Sequence, residues 1–209
     1  MNVHGWKIPK KGALFVVTGP SGSGKTTLVK QALSTIPSIE FSVSATTRPI
    51  RHNEQDGIDY HFLSTEQFQR KIDNGDFLEW AEVYGNYYGT LKKPVEEALQ
   101  NGLSILLDID IQGAQQVKRN AQSCTSIFIL PPSFEALELR LRSRNTDAEE
   151  IIQRRMDESK VQLRGCVHFD YLVMNDNLDC AHTCFQGILL GELSKKEYRM
   201  DWIEHFSHV

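Results

Sequence analysis

Residues Gly19-Pro20-Ser21-Gly22-Ser23-Gly24-Lys25-Thr26 constrain this chain more than any other stretch, because they fit G-x-x-x-x-G-K-[ST] at every fixed position. The flanks agree with the motif. The apolar, β-favouring run Leu14-Phe15-Val16-Val17 precedes it, and a helix-compatible segment from Thr26 to Ser34 follows. Strand, glycine-rich loop and helix start are the parts a triphosphate site needs. The three glycines let backbone N–H groups turn inward around phosphate oxygens, and the helix N-terminus adds partial positive charge. Lys25 adds a full charge, Thr26 offers a hydroxyl to Mg2+, and Thr27 extends the loop into the helix. A glycine-rich turn matching by chance would need neither flank. The motif implies a nucleotide phosphate and leaves open what the nucleotide is used for.

The remaining composition narrows the class. A chain of 209 residues accommodates one α/β domain with insertions and a substantial buried core. A net charge of −4 argues against a general nucleic-acid binder, so functional basic residues should be clustered locally. Cys124, Cys166, Cys180 and Cys184 show no C-x-x-C spacing, and Cys180 and Cys184 with His182 give too few ligands for a metal site. They read as reduced thiols, which suits a cytoplasmic enzyme. Met1 to Lys11 lacks the apolar centre of a secretory signal, and no apolar run approaches the length of a membrane span.

Apolar segments alternate with helical patterns, which points to an α/β fold with a parallel sheet wrapped by helices in three layers. The core strands are predicted at Leu14–Val17, Ile105–Leu107, Ser126–Leu130 and Tyr171–Met174, with a fifth at Phe41–Ser44. Functional groups in such sheets gather at the strands' carboxyl ends. The segment from 44 to 90 differs: it is rich in Thr, Asn, Asp, Gly and Tyr, has short apolar runs, and looks helical only over Thr65–Asn74. It reads as a small mixed lobe inserted into a core of 12–43, 91–136 and 159–209. Leu137–Leu163 reads as two helical stretches broken near Asn145-Thr146, with a lid at 137–158. The tail from Asp179 to Val209 is predicted helical, with Phe185, Ile188, Leu189 and Leu193 on one side.

Three constellations could carry chemistry. Leu106-Leu107-Asp108-Ile109-Asp110 is an apolar strand ending in two carboxylates, which share a face if the strand continues. Such acids can organise Mg2+ or a basic partner, and the pattern equally fits ordinary loop acids. Arg140 and Arg144 lie one helical turn apart, with Arg154 and Arg155 further on. Arginine stays charged and binds oxygens in pairs, as phosphoryl transfer between two phosphorylated molecules requires. A solvated basic helix paired with Glu135, Glu138, Glu149 and Glu150 would look the same. Ser44, Arg48, Arg51 and Tyr60 form a phosphate-compatible polar set, and Gly85-Asn86-Tyr87-Tyr88-Gly89 is a turn bearing two aromatic hydroxyls; turn chemistry and packing account for such residues about as well.

Taken in order, GPSGSGKTT, FSVSATTRPIR, GIDYHF, FLEWAEVYGNYYGT, LLDIDIQGAQ, FILPPS, RLRSRNTDAEEIIQRR and YLVMNDN resemble the guanylate kinases, from Leu14 to about Leu178. The resemblance implies a P-loop kinase fold and Mg2+-dependent transfer of the γ-phosphoryl group of ATP to GMP, and to dGMP, in purine nucleotide metabolism. It implies that Gly19 to Thr27 hold the ATP phosphates, with Lys25 bridging them and Asn175 near the adenine. It implies that Arg48, Arg51, Tyr60 and Tyr88 take the GMP phosphate, that Ser44, Glu79 and Asp110 face the base, and that Thr90 and Asp108 belong to the same site. Arg140, Arg144 and Arg155 match the lid arginines. Guanine presents N1–H and N2–H2 donors that a carboxylate's oxygens match, whereas adenine presents an acceptor at N1. Asn53 stands where a glycine is common, and Thr90 where many members have serine. Two other readings remain: a binding module that has kept the fold without catalysis, and a kinase for another nucleotide or sugar phosphate. Association into a homo-oligomer is left open.

Overall fold

The computed structural model describes residues 2–3, 6–7, 11–83, 85–143 and 149–200. In chain order the elements are β1 (Asn2–Val3), β2 (Trp6–Lys7), β3 (Leu14–Thr18), α1 (Lys25–Thr35), β4 (Ile39–Phe41), β5 (Ala45–Thr46), β6 (His61–Phe62) and α2 (Thr65–Asp73). They continue with β7 (Phe77–Val83), β8 (Asn86–Leu91), α3 (Lys92–Gln100), β9 (Ser104–Asp108), α4 (Ile111–Asn120), β10 (Thr125–Leu130), α5 (Phe134–Arg142), α6 (Glu149–Arg164), β11 (Tyr171–Met174) and α7 (Leu178–Leu193).

The main sheet has five strands in the order β4-β9-β3-β10-β11, all parallel. Its central strand is the one that feeds the glycine-rich loop. Burial explains why β3 is apolar throughout: Phe15 and Val17 face a cluster with Leu28, Ile127, Ile129, Phe185 and Leu189, whereas Leu14 and Val16 face one with Leu78, Val95, Leu107 and Val117. The chain leaves β3 toward β4 on one side and later adds β10 on the other. The loop after β3 therefore opens at the point where the strand order reverses, which is where ligands bind in open parallel sheets.

A second sheet, β6-β5-β8-β7, is built between residues 45 and 91. β5 pairs parallel with β6, while β7 and β8 form an antiparallel pair with β8 also antiparallel to β5. Helix α2 covers it through Phe68, which is fully buried and stacks on Phe77 at 4.4 Å and Tyr87 at 5.4 Å. The start of α2 is written in Ser64-Thr65-Glu66-Gln67: Ser64 Oγ accepts from the Gln67 amide and the Gln67 side chain accepts from the Ser64 amide.

Three expectations from sequence need correction. The fifth core strand is Ile39–Phe41 rather than Phe41–Ser44, because Ile39 is the buried residue and Phe41 is half-exposed on the sheet edge. Ala45 and Thr46 already pair in the second sheet. The C-terminal helix stops at Leu193. Ser194 caps it, Lys195 is extended, and a single 3-10 turn over Lys196–Tyr198 follows; 201–209 lie outside the described residues. Its apolar side is as expected, with Phe185, Leu189 and Leu193 buried and Ile188 packed against the same cluster. Finally, β9 ends at Asp108, so Asp110 is not on a continued strand: it caps α4 by accepting from Gly113 N at 2.7 Å.

Candidate active site

The loop between β3 and α1 is shaped largely by its own backbone. Ser23 N donates to Pro20 O at 3.0 Å, and Thr27 N donates to Gly24 O at 3.1 Å as α1 begins. Gly24 has φ +86°, and a Cβ placed there would lie 2.1 Å from Asn175 Nδ2. Only glycine satisfies both conditions. Asn175 does something the sequence reading did not anticipate. Its side chain is buried and donates to Ser23 O at 2.7 Å, and its carbonyl accepts from Arg140 Nη2 at 2.9 Å. It thereby ties the loop to α5 across the end of β11.

Gly19, Pro20, Ser21, Gly22, Gly24, Lys25, Thr26 and Thr27 line a groove of about 360 Å3 together with Asp108, Ile109, Asp110 and Gln162. Lys25 Nζ pairs with Asp108 Oδ1 across it. Thr18 Oγ1 donates to Ile109 O at 2.8 Å, which fixes the acidic turn after β9 against the end of β3. Beside the Lys25 ammonium, the groove offers hard oxygens, among them the Thr26 hydroxyl and the two carboxylates. That donor set fits Mg2+, which takes few protein ligands and keeps water and phosphate oxygens as the rest. Among the described residues no group of three or more His, Cys, Asp or Glu forms a self-sufficient metal cage.

On the far side of Asp110 the groove meets the second sheet. Glu79 on β7 is buried, 6% exposed, and its Oε1 accepts from Thr90 Oγ1 at 2.6 Å. Burial raises its pKa above the ordinary 4.5 despite the Thr90 bond, and the nearby Asp110 pushes in the same direction. Glu79 and Asp110 are neighbours: a Cβ added to Gly113 would lie 3.0 Å from Glu79 Oε2 and 3.3 Å from Asp110 Oδ1. Two acidic groups held this close, one of them desolvated, are suited to a ligand bearing adjacent N–H donors.

Arg48 follows β5 and is held tightly. Its Nη1 and Nη2 donate to the two oxygens of Glu54 at 2.9 and 2.8 Å, Nη1 also reaches Pro49 O at 2.8 Å, and the guanidinium lies 5.3 Å from the Tyr60 ring centroid. Arg48 holds Glu54 below the usual carboxylate range, helped by the Arg51 amide, which donates to Glu54 Oε2 at 2.9 Å. Tyr88 on β8 packs edge-on against Tyr60 at 6.2 Å. Ser44 lies at the entry to β5, where its carbonyl accepts from His61 N at 2.9 Å. Arg51 is exposed.

On the helical side Arg140 is anchored through Nη2, while its Nη1 is buried with no hydrogen-bond partner among the described residues. Arg155 is half-buried on α6. Arg144 lies outside the described residues. Sequence reasoning missed Glu54 and Gln162. Gln162 stands seven residues after Arg155 on the same face of α6, so helical spacing was a usable signal for it. No comparable pattern marks Glu54, whose role depends on the turn between Arg48 and Tyr60.

A family profile described as Guanylate kinase matches residues 11–191. The chain belongs to the guanylate kinase family. It is 49% identical over 185 residues to the guanylate kinase of Syntrophotalea carbinolica, covering 88% of each chain. It is likewise 49% identical to that of Carboxydothermus hydrogenoformans, covering 88% of this chain and 91% of the relative. The crystal structure of guanylate kinase from Anaplasma phagocytophilum superposes with a TM-score of 0.70 at 32% identity over 91% of both chains. Members of the family are enzymes that phosphorylate GMP with ATP. No described helix is long and apolar enough to cross a membrane.

Proposed function

We propose that the chain transfers the γ-phosphoryl group of ATP to GMP, and to dGMP, with Mg2+, in the cytoplasmic recycling of guanine nucleotides. One observation carries this reading. The groove of the phosphate loop and the Glu79–Asp110 carboxylate pair meet at the turn after β9, so a triphosphate and a guanine would enter one continuous site from opposite sides. In this reading 44–90 form the GMP lobe, 137–158 the lid, and 12–43, 91–136 and 159–209 the core.

Each half has a stated job. Gly19 to Thr27 receive the ATP phosphates on backbone N–H groups, and Lys25 exchanges Asp108 for phosphate oxygens. Arg48, Arg51, Tyr60 and Tyr88 take the GMP phosphate. Glu79, aligned by Thr90, accepts from the guanine N–H donors with Asp110 and Ser44 beside it. Asp108, released from Lys25, completes the acceptor side. Asn175 stands behind the donor loop. Thr26 would hold Mg2+, which when bound neutralises phosphate charge.

The chemical step needs no protein nucleophile. An oxygen of the GMP phosphate, already anionic at neutral pH, forms a bond to the γ-phosphorus as the bond to the ADP oxygen breaks. The products are GDP and ADP. Catalysis is positioning and charge neutralisation by Lys25, Arg48, Arg140, Arg144 and Arg155. The buried Nη1 of Arg140, unpartnered among the described residues, is what a lid arginine would bring to a phosphoryl oxygen.

Coupled ADP release with GMP, dGMP, AMP, CMP and UMP as acceptors tests the reading. Turnover with GMP and dGMP and background with the rest are expected. No turnover with any acceptor would favour a binding module, and preference for another base would favour a different kinase.

A further inference from the structure

Helix α4 turns one face to strand β7. Gly113, Gln116 and Asn120 recur at i, i+3 and i+7, so they line a single side of the helix. Gln116 Oε1 accepts from Trp80 N at 3.1 Å, and Gln116 Nε2 donates to Trp80 O at 2.9 Å. Asn120 Nδ2 donates to Leu78 O at 2.8 Å. Gly113 sits against the Glu79 side chain, where a Cβ would crowd Oε2 at 3.0 Å.

β7 is the edge of its sheet, so its outward N–H and C=O groups have no strand partner. A primary amide carries a donor and an acceptor in one plane, as a peptide group does, and Gln116 pairs with Trp80 as a neighbouring strand would. The register of β7 also shifts between Phe77 and Glu79. Phe77 enters the core of the second sheet and its neighbour Leu78 that of the main sheet, as the alternation of a strand between two layers requires. The backbone is thus held by α4 at both neighbours of Glu79. The same helix begins at Asp110, the other carboxylate of the pair.

We propose that Gln116, supported by Asn120, is a positioning residue for base selection: by fixing the edge of β7 to α4 it sets the separation of Glu79 from Asp110, and with it the discrimination between guanine and a purine lacking the 2-amino group. This rests on the reading of GMP as phosphoryl acceptor. Gln116 acts through the backbone of Trp80, and the carboxylates meet the base.

The test is steady-state kinetics at saturating ATP with GMP or IMP varied, for the wild-type chain, Gln116→Leu and Gln116→Glu, with a thermal unfolding curve for each. Gln116→Leu should raise the KM for GMP about tenfold, leave kcat within about twofold, and lower the GMP-to-IMP ratio of kcat/KM about tenfold. Gln116→Glu, which keeps the acceptor for Trp80 N but sets an oxygen against Trp80 O, should move the same way. A folded Gln116→Leu with the wild-type ratio would overturn the proposal, as would an equal fall in kcat for both nucleotides, which a purely structural role gives. Should Gln116→Leu not fold, Asn120→Ala decides, with a shift of about threefold expected and an unchanged ratio overturning it. A wild-type chain that does not phosphorylate GMP would instead remove the acceptor reading.

Discussion

The loop after β3 and the second sheet build their parts of the site by different means. The loop uses backbone: glycine geometry, the helix start and one lysine produce a phosphate cradle from eight consecutive residues. The second sheet uses side chains drawn from the segments flanking β5, the turn before β6, β7 and β8. Glu79, Arg48 and Tyr60 are each held by a further residue: Thr90, Glu54 and Tyr88. Phosphate has little shape to read, so repeated N–H groups suffice. A base must be told from other bases, which requires placed acceptors in a dry setting. The comparison implies that the loop governs rate and that the sheet governs which acceptor is used.

The sharpest way to break that division is Lys25→Met. Turnover should fall by about 10^3 to 10^5 with the unfolding midpoint little changed, since the Lys25 side chain pairs with Asp108 at a partly exposed site. Near-normal turnover would remove the loop from the chemistry. Phe68→Ala attacks the other region. It empties a fully buried, doubly stacked position, and should cost about 3–5 kcal/mol, read in a denaturant titration. If the two regions are as separable as their cores suggest, ATP binding should survive where GMP binding does not. The proposed lid can be tested by single-turnover ATP hydrolysis with and without GMP. Slow hydrolysis without GMP is expected, and rapid hydrolysis would contradict gating.

A smaller effect follows from the raised pKa of Glu79. Its folded-state value lies above the ordinary 4.5, so its stabilising contribution is full below that value and is lost as pH rises through the folded pKa. Above the folded pKa the ionised, buried carboxylate is a cost to stability. Glu79→Gln should therefore raise the unfolding midpoint at pH 7, and the gain should shrink toward pH 4.5. The function runs the other way. The KM for GMP should climb as pH falls through the raised pKa of Glu79, because a protonated Glu79 loses an acceptor. A flat KM across that titration would mean that Glu79 does not meet the base as a carboxylate.

Much of the fold was legible because its signals are local. β3, β9, β10 and β11 are apolar runs bounded by turn residues, and α2 is announced by its capping box. The donor site was legible for the same reason. What escaped is relational. Phe77 and Leu78 are both apolar, and their order alone does not say that β7 lies between two layers, with Phe77 in one core and Leu78 in the other. Gln116 looks like a residue on a solvated helix face until the β7 edge is beside it. Glu54 is one of many surface acids until the turn folds it onto Arg48. Nothing in the sequence around Asn175 shows that its amide donates to Ser23 O. Each depends on where a second element ends up, which periodicity does not carry.

The division between loop and sheet is tested most directly by equilibrium titration of Glu79→Gln with GMP and, separately, with ATP. We expect GMP affinity to fall about 100-fold while ATP affinity stays within about twofold of wild type. Loss of both nucleotides to the same degree in a folded variant, or loss of neither, would contradict it.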